Sequence, residues 1–351
     1  MQRVSVLVEV PRLLAEAGVD PEPVLRAAGI HPGLLADVDG MLPFEQFSEL
    51  VVLCAEAAGR DDFDMVIGAS GRYQHLGVLG SYMACGPTLA SALDDMVTNH
   101  PRYVRGGGAY LFDTGDGDIL IGYRTHSPGI RGARHIARGA VAFGYRVFKQ
   151  MSGVTPKAVH MSLPASGNAS DYLEPFEGTP VRFDAEHFGL VFSRASLRKP
   201  NIKADPELRR QLTETINNRW AIHQPDVRER VMRALVPSVF SGTHSLESTA
   251  RRIGMAPEVL SRELKDKGTS FRDLLIEARL EMASQFLTDA RMSIAKVAQL
   301  LGYSEISAFT RFFTNARGMS PAEFRRQSEL AARSRPVGRT SPEDRLDAAA
   351  E

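Results

Sequence analysis

The feature that most constrains this chain is a repeat within its C-terminal hundred residues. Leu246, Ala250, Ile253 and Gly254 recur as Ile294, Ala298, Leu301 and Gly302, each 48 positions later. Leu260, Arg262 and Leu264 recur as Phe309, Arg311 and Phe313, each 49 positions later, so one residue has been added in the second copy's turn. Each copy reads as two short helices joined by a turn. Ser245 or Ser293 can cap the first helix. Ala250 or Ala298 sits where two helices must approach closely. Gly254 or Gly302 follows four residues later and permits the left-handed backbone that ends a helix. The second helix starts at Pro257 or after Ser304, and proline suits a first helical turn because its missing N–H has no partner there.

Apolar residues pin the inner side of each second helix, Val259, Leu260 and Leu264 in unit one and Phe309, Phe312 and Phe313 in unit two. The outer sides are polar, with Glu258, Ser261, Arg262 and Lys265 in unit one and Ser307, Thr310, Arg311 and Thr314 in unit two. Short hydroxyls and forked guanidinium groups suit base edges and phosphates. Glu258 would repel phosphate and must read a cytosine amino group or orient Arg262. Between the units, Phe271, Leu274, Leu275, Ala278, Met282 and Phe286 fit one face of a helix running to Asp289. Such a helix is about 28 Å long, against about 34 Å between successive major grooves on one face of DNA. One monomer could therefore hold two reading helices in adjacent grooves. A lone unit of this kind could be ordinary helix packing; two in register with the same cap, alanine, glycine and arginine are harder to explain so.

Charge supports this only weakly. The chain carries 42 basic and 42 acidic residues. Between Asp226 and Glu329 there are sixteen Lys/Arg against thirteen Asp/Glu, a surplus of three that the remainder must offset.

The segments ARRIGMAPEVLSRELKDKGTSFRDLLIEARLEMASQFL and SIAKVAQLLGYSEISAFTRFFTNARGMSPAEFRR resemble the DNA-binding domain of the AraC/XylS family of bacterial transcription regulators, over residues 226–327. The LGYS turn, the FTRFF helix and the closing GMSPAEFRR carry most of the likeness. The resemblance implies an all-α domain with two helix-turn-helix units joined by a long helix. It places Glu258, Ser261 and Arg262, and Ile306, Ser307, Thr310 and Arg311, against bases or backbone. Two departures stand out. Ala256 occupies a position where the family often has a serine cap. Ile306 is apolar where polar readers are common, so it either touches a thymine methyl or packs inward.

At 351 residues the chain has room for about two domains. Its first hundred residues read mostly as helix. Phe44, Phe47, Leu50, Val51, Cys54 and Ala58 line one helical face, and Thr88 can cap a helix after the Gly86-Pro87 break. AYLFDTGDGDILIGYRTH reads as a hairpin about a Thr-Gly-Asp-Gly turn. A helix follows over 134–151, then strands at KAVHMSLP and PVRFD…FGLVFSR. The expected fold class is an α+β N-terminal regulatory domain, helices plus an antiparallel sheet, followed by the all-α double helix-turn-helix domain. The expected division is a sensing and oligomerisation domain over 1–200, a linker helix region over 201–225, the DNA-binding domain over 226–327 and a disordered tail over 328–351. GVDPEPVLRAAGI, HLGVLGSYMACGPTLASALDDM and RGAVAFGYRVFKQMSG are similar to the arabinose-binding-type regulatory domain of AraC-like proteins, which implies a small-molecule sensor but does not make its ligand a sugar.

No enzyme constellation holds in this half: there is no GxSxG elbow, Walker loop or HExxH. Arg105-Gly106-Gly107-Gly108 precedes a strand and reads as a bend. His126 and His135 straddle a predicted loop without an evident third ligand, so no metal and no cofactor is expected. Cys85 precedes a helix, yet MACGPT is apolar and reads as a structural site. Two cysteines cannot build a disulfide framework. The apolar N-terminal patch is broken by Glu9, Pro11 and Arg12, unlike a signal peptide, and the expected location is cytoplasmic, with no membrane partner. An effector pocket would be apolar with a few polar anchors. Arg72, Tyr73, His75 and Tyr82 flank a glycine-rich segment, and Tyr123, Arg124 and His126 lie on or after a strand, making Arg72, Tyr73, His75, Tyr82, Tyr123 and Arg124 the candidate contacts. A strand arginine is costly to bury unpaired, so Arg124 meets an anionic ligand or, the favoured reading, an internal carboxylate. The expected partners are double-stranded operator DNA, a small-molecule effector, a second copy in a homodimer, and RNA polymerase. The competing readings are a ligand-independent architectural DNA binder and a repair or amidotransferase-like enzyme fused to an AraC-type reader, for which the two cysteines offer no thiolate cluster.

Overall fold

A computed structural model describes residues 2–104, 106–114, 117–125, 130–163, 173–219, 226–228, 230–232, 234–235, 245–287 and 292–334. The expectations for Arg105, for His126, for the end of the linker region and for the tail past 334 lie outside the described residues.

The N-terminal half begins with helices α1 (Val10–Glu16), α2 (Pro21–Ala27), α3 (Phe44–Ala58) and α4 (Phe63–Ala69), over a small antiparallel pair, β1 (Gln2–Arg3) and β2 (Met41–Leu42). Helices α5 (Val78–Ala84) and α6 (Leu89–Tyr103) follow. Thr88 caps α6 by accepting from the Ser91 amide. Strands β3 (Gly107–Asp113) and β4 (Asp118–Thr125) form the hairpin that the Thr-Gly-Asp-Gly turn predicts. Helix α7 (Ala133–Ser152) crosses the sheet, which β5 (Ala158–His160), β6 (Val181–Arg182) and β7 (Gly189–Ser193) complete in the order β3-β4-β7-β5-β6. The sheet is antiparallel except between β5 and β6, which run parallel, so it is mixed rather than wholly antiparallel. Strand β6 pairs only through Val181 and Arg182, too short a ladder for pattern reading to assign a direction.

Helices α4 and α7 meet backbone to backbone. A Cβ on Gly68 would lie 2.2 Å from the Gly139 carbonyl oxygen, so only glycine permits this approach. Beside it, Arg138 Nε donates to Asp64 Oδ2 at 2.8 Å and to Asp61 through Nη1 at 3.0 Å, tying the two helices through a nearly inaccessible carboxylate. Tyr145, fully buried, donates to the Phe176 carbonyl at 2.8 Å. After a four-residue helix, α8 (Arg194–Leu197), helix α9 (Pro206–Arg219) packs against α5. Arg209 on α9 bridges Asp95 at 2.7 and 3.0 Å and stacks 4.0 Å over the Tyr82 ring.

The C-terminal half is helical among the described residues: Leu246–Arg252 and Pro257–Asp266, then the long Phe271–Leu287, then Ile294–Leu300, Ile306–Arg317 and Pro321–Ser334. Ser245 and Ser293 accept from the Ser248 and Lys296 amides, so both repeats carry the anticipated cap. Gly254 and Gly302 adopt φ of 71° and 80°, the left-handed region that disfavours any side chain. Ala250 and Ala298 are essentially inaccessible. Phe309 and Phe313 are fully buried, and each such ring stabilises the unit by roughly 1.5–3 kcal/mol. Arg325, from the closing segment, donates to the carbonyls of Leu287 and Met292 at 3.1 and 2.5 Å and so caps the end of the long helix.

Strand alternation gives the sheet two jobs. Ala109, Ile121, Leu190 and Phe192 face the N-terminal interior. Tyr110, Phe112, Leu120 and Val191, one residue out of phase, join the core of the C-terminal half. Tyr110 meets Phe286 of the long helix edge to face, centroids 5.9 Å apart, and Lys296 lies 4.9 Å over Phe112 and 3.5 Å from Glu186.

Candidate functional site

Two places are candidates for function. The first is the outer face of the repeated second helices. In Pro257–Asp266, burial of Leu260 and Leu264 fixes the rotation and turns Glu258, Ser261, Arg262 and Lys265 to solvent at three- and four-residue steps. In Ile306–Arg317, burial of Phe309 and Phe313 does the same: Ile306, Ser307 and Arg311 are exposed, and Thr310 and Thr314 half-buried. All nine side chains therefore share the two outer faces. Ile306, 49% exposed, does not pack inward. Glu258 does not pair with Arg262, and Arg262, Lys265 and Arg311 make no ion pair among the described residues. Ala256 caps without a side-chain hydrogen bond, as its lack of a hydroxyl requires, and so does Glu305 at the start of the second reading helix. Arg317, also exposed, is tied back to the long helix, donating to Ser284 Oγ at 3.1 Å.

The second place is a cavity of about 150 Å³ between β3–β4, the N-terminal segment, α4 and α7. Its wall is mostly apolar, with Phe47, Ile67, Leu79, Met96, Val141 and Phe148 among the contributors. Of the six candidate effector contacts, His75 and Tyr123 line it. Arg72, Tyr73 and Tyr82 do not. The Arg72 guanidinium reaches out to Glu9 at 2.8 Å, Tyr73 accepts from Lys203 at 2.9 Å, and Tyr82 is covered by Arg209. The side chain of Arg124 lies outside the described residues.

Sequence reading missed Gln2, Arg3, Asp64, His100 and His135 as wall residues. Gln2 and Arg3 come from a two-residue strand that carries no periodicity. Only the fold brings them beside α4, α6 and α7. A buried-charge signal was present in Asp64 and Arg138, but nothing local links residues so far apart in the chain.

The electrostatics of the wall are internally matched. Arg3 donates to the Leu76 carbonyl at 3.2 Å and pairs with Asp39. His135 lies 3.1 Å from Asp64, which Arg138 also holds, and burial pushes the Asp64 carboxyl up while His135 and Arg138 pull it back. Burial, reinforced by Arg72, pulls His75 below its ordinary value despite Glu9 nearby, so it is neutral near pH 7. Burial alone raises the Tyr123 phenol, which stays protonated. His100 packs edge-on against Tyr123, centroids 5.4 Å apart.

The thiols are inert by environment. Cys54 is pushed up to about 12 by burial, and Cys85, also buried, is raised by desolvation and then by Asp205. Among the described residues no group of three or more His, Cys, Asp or Glu is arranged to hold a metal ion. No helix among them is long and apolar enough to cross a membrane.

Known proteins align with both halves of the chain. The sequence profile of the family described as the arabinose-binding domain of AraC transcription regulator, N-terminal, matches residues 18–201. A helix-turn-helix domain profile matches residues 249–327. The chain is 27% identical over 330 residues to the HTH-type transcriptional regulator VirS of Mycobacterium tuberculosis, covering 92% of this chain and 95% of that one. It is 26% identical over 323 residues to the ornithine utilization regulator of Pseudomonas aeruginosa, covering 89% and 93%. A crystal structure of the transcriptional regulator CdpR from Pseudomonas aeruginosa aligns over 93% of this chain and 99% of its own, at 21% identity and a TM-score of 0.47.

Proposed function

This chain belongs to the AraC transcription regulators with an arabinose-binding-type N-terminal domain, and from that premise we propose how its parts divide the work. It is a DNA-binding transcription regulator with an N-terminal ligand domain. Residues 226–327 hold two reading helices to one duplex. Glu258, Ser261, Arg262 and Lys265 address one major-groove segment, and Ile306, Ser307, Thr310, Arg311 and Thr314 the next. The single observation that carries this reading is the repeated pair of helices whose buried sides are locked and whose outer arginines have no ion-pair partner among the described residues. Phosphate contacts supply much of the affinity, and base contacts the sequence preference. Ile306 is placed to touch a thymine methyl.

Residues 1–200 sense an effector in the cavity. The sheet then couples the two halves, because the strands that wall the cavity through Ile121 and Tyr123 present Tyr110, Phe112 and Leu120 to the DNA-binding half. A ligand that binds differently to the docked and undocked arrangements shifts the balance between them. The working form on DNA is a homodimer in the bacterial cytoplasm that contacts RNA polymerase.

Selection of bound sequences from random DNA by the full chain tests the reading. The expected outcome is a preferred site with two conserved blocks about one helical turn apart. Uniform binding to all sequences would favour an architectural role and overturn it. Sedimentation of the complex on that site gives its stoichiometry.

A further inference from the structure

The cavity's polarity narrows the effector's chemistry, an inference that rests on the cavity being the effector site. Its volume, about 150 Å³, is enough to hold one benzene-sized ring. Four of its ionisable wall groups already have charged or polar partners. Asp64 is held by Arg138 and His135, Arg3 by Asp39 and the Leu76 carbonyl, and His75 sits against Glu9. A ligand carboxylate or ammonium would be stripped of water and would meet charges that already have partners.

Gln2 and Tyr123 bring further polar groups to the wall. Gln2, 7% exposed, has a buried side-chain oxygen with no hydrogen-bond partner. The Tyr123 hydroxyl makes no hydrogen bond among the described residues, and burial keeps it protonated as a donor. One acceptor and one donor suit a single hydroxyl or carbonyl. A sugar brings several hydroxyls into an apolar wall, and each one without a partner opposes binding.

We propose that the cavity takes a small, uncharged, mainly apolar molecule, the size of one substituted aromatic ring, with one hydroxyl or carbonyl head held by Tyr123 and Gln2, and that it rejects sugars and amino acids.

The test uses the full chain with p-cresol, toluene, L-arabinose and L-ornithine as probes, followed by saturation-transfer NMR and thermal shift. Toluene and p-cresol are expected to bind, with p-cresol tighter. Tyr123→Phe, which keeps the ring, should weaken p-cresol about fivefold and leave toluene unchanged, as loss of one hydrogen bond requires. Ala109→Leu, which fills the cavity from β3, should weaken both at least tenfold. Arabinose or ornithine binding that Ala109→Leu blocks, with the aromatic probes inert, would overturn the ligand class while leaving the cavity as the sensor. Silence from all four probes, or aromatic binding unmoved by either substitution, would overturn the site itself. Aromatic binding that Ala109→Leu blocks, with no change in DNA affinity, would uphold the ligand class and remove the effector role.

Discussion

Arg262 and Arg311 occupy equivalent places in the two repeats, and replacing each by alanine tests whether the repeats read DNA independently. Both side chains are exposed and neither makes an ion pair among the described residues. Their removal should therefore leave folding stability within about 0.5 kcal/mol, as for surface positions generally. Any loss of affinity then belongs to the DNA complex. A base-reading arginine is worth about 1–3 kcal/mol, or roughly a 5- to 150-fold rise in Kd. The units are separated by the Phe271–Leu287 helix, about 25 Å at 1.5 Å per residue. At that distance the two losses should add, so the double variant should lose about 2–6 kcal/mol. Fluorescence anisotropy on the selected site, with each conserved block scrambled in turn, gives the answer. Arg262→Ala should become insensitive to one block and Arg311→Ala to the other. An arginine that only touches phosphate would instead weaken every sequence alike and reduce the salt slope by about one. Two folded variants with unchanged affinity and unchanged base preference would refute the paired-reader account.

Gly122→Ala should disturb the sheet's outer face, because the added Cβ would lie 2.3 Å from Tyr110 Cζ; the ring must swing from Phe286, and the effector's influence on DNA affinity should shrink. An undiminished response in that variant would argue against the sheet as the coupling element. Ala298→Leu, at a position 1% exposed, should cost about 1–3 kcal/mol by overpacking, read as a lower urea midpoint with the wild-type slope. His75 lies below its ordinary value in the fold, from burial first and Arg72 second. Its contribution to stability is thus complete above the unfolded value of about 6.5 and is lost as pH falls below it. His75→Gln should flatten that part of the stability profile between pH 7.5 and 5.5, and an unchanged profile would remove His75 as its source.

How much of this was legible in the sequence depends on how local each determinant is. The repeat was legible because its signals are local: Ser245 and Ser293 cap, Gly254 and Gly302 turn, and the phenylalanines of FTRFF choose the buried side. The hairpin at Tyr110 was legible for the same reason, since its turn and its alternation lie within one short stretch. The cavity was not. Its wall joins Gln2 and Arg3 to His100, Tyr123 and His135, and no spacing rule links a two-residue strand to three separate elements. Arg72 and Tyr82 flank a glycine-rich segment, but Glu9 and Arg209 engage them, and none of the four lines the cavity. The parallel pairing of β6 was illegible too, because two residues carry no period.

The proposed coupling rests on the pleat. A strand can serve a cavity and an interface together only if its odd and even residues differ in role, and β3 and β4 meet that condition: Ala109 and Tyr123 on one side, Tyr110 and Leu120 on the other. A ligand pressing on Tyr123 cannot move that residue without moving Gly122 and, across the ladder, Tyr110. The interface joins the outer face of the sheet to the long helix and to Lys296. Tyr110 against Phe286 and Lys296 against Phe112 and Glu186 are its named polar and aromatic links. A few such links, with the apolar area around them, are in scale with an allosteric coupling of about 1–3 kcal/mol, or 5- to 150-fold in affinity. A much larger interface would lock the halves together whatever the cavity held, and a bare one would leave the reading helices indifferent to it.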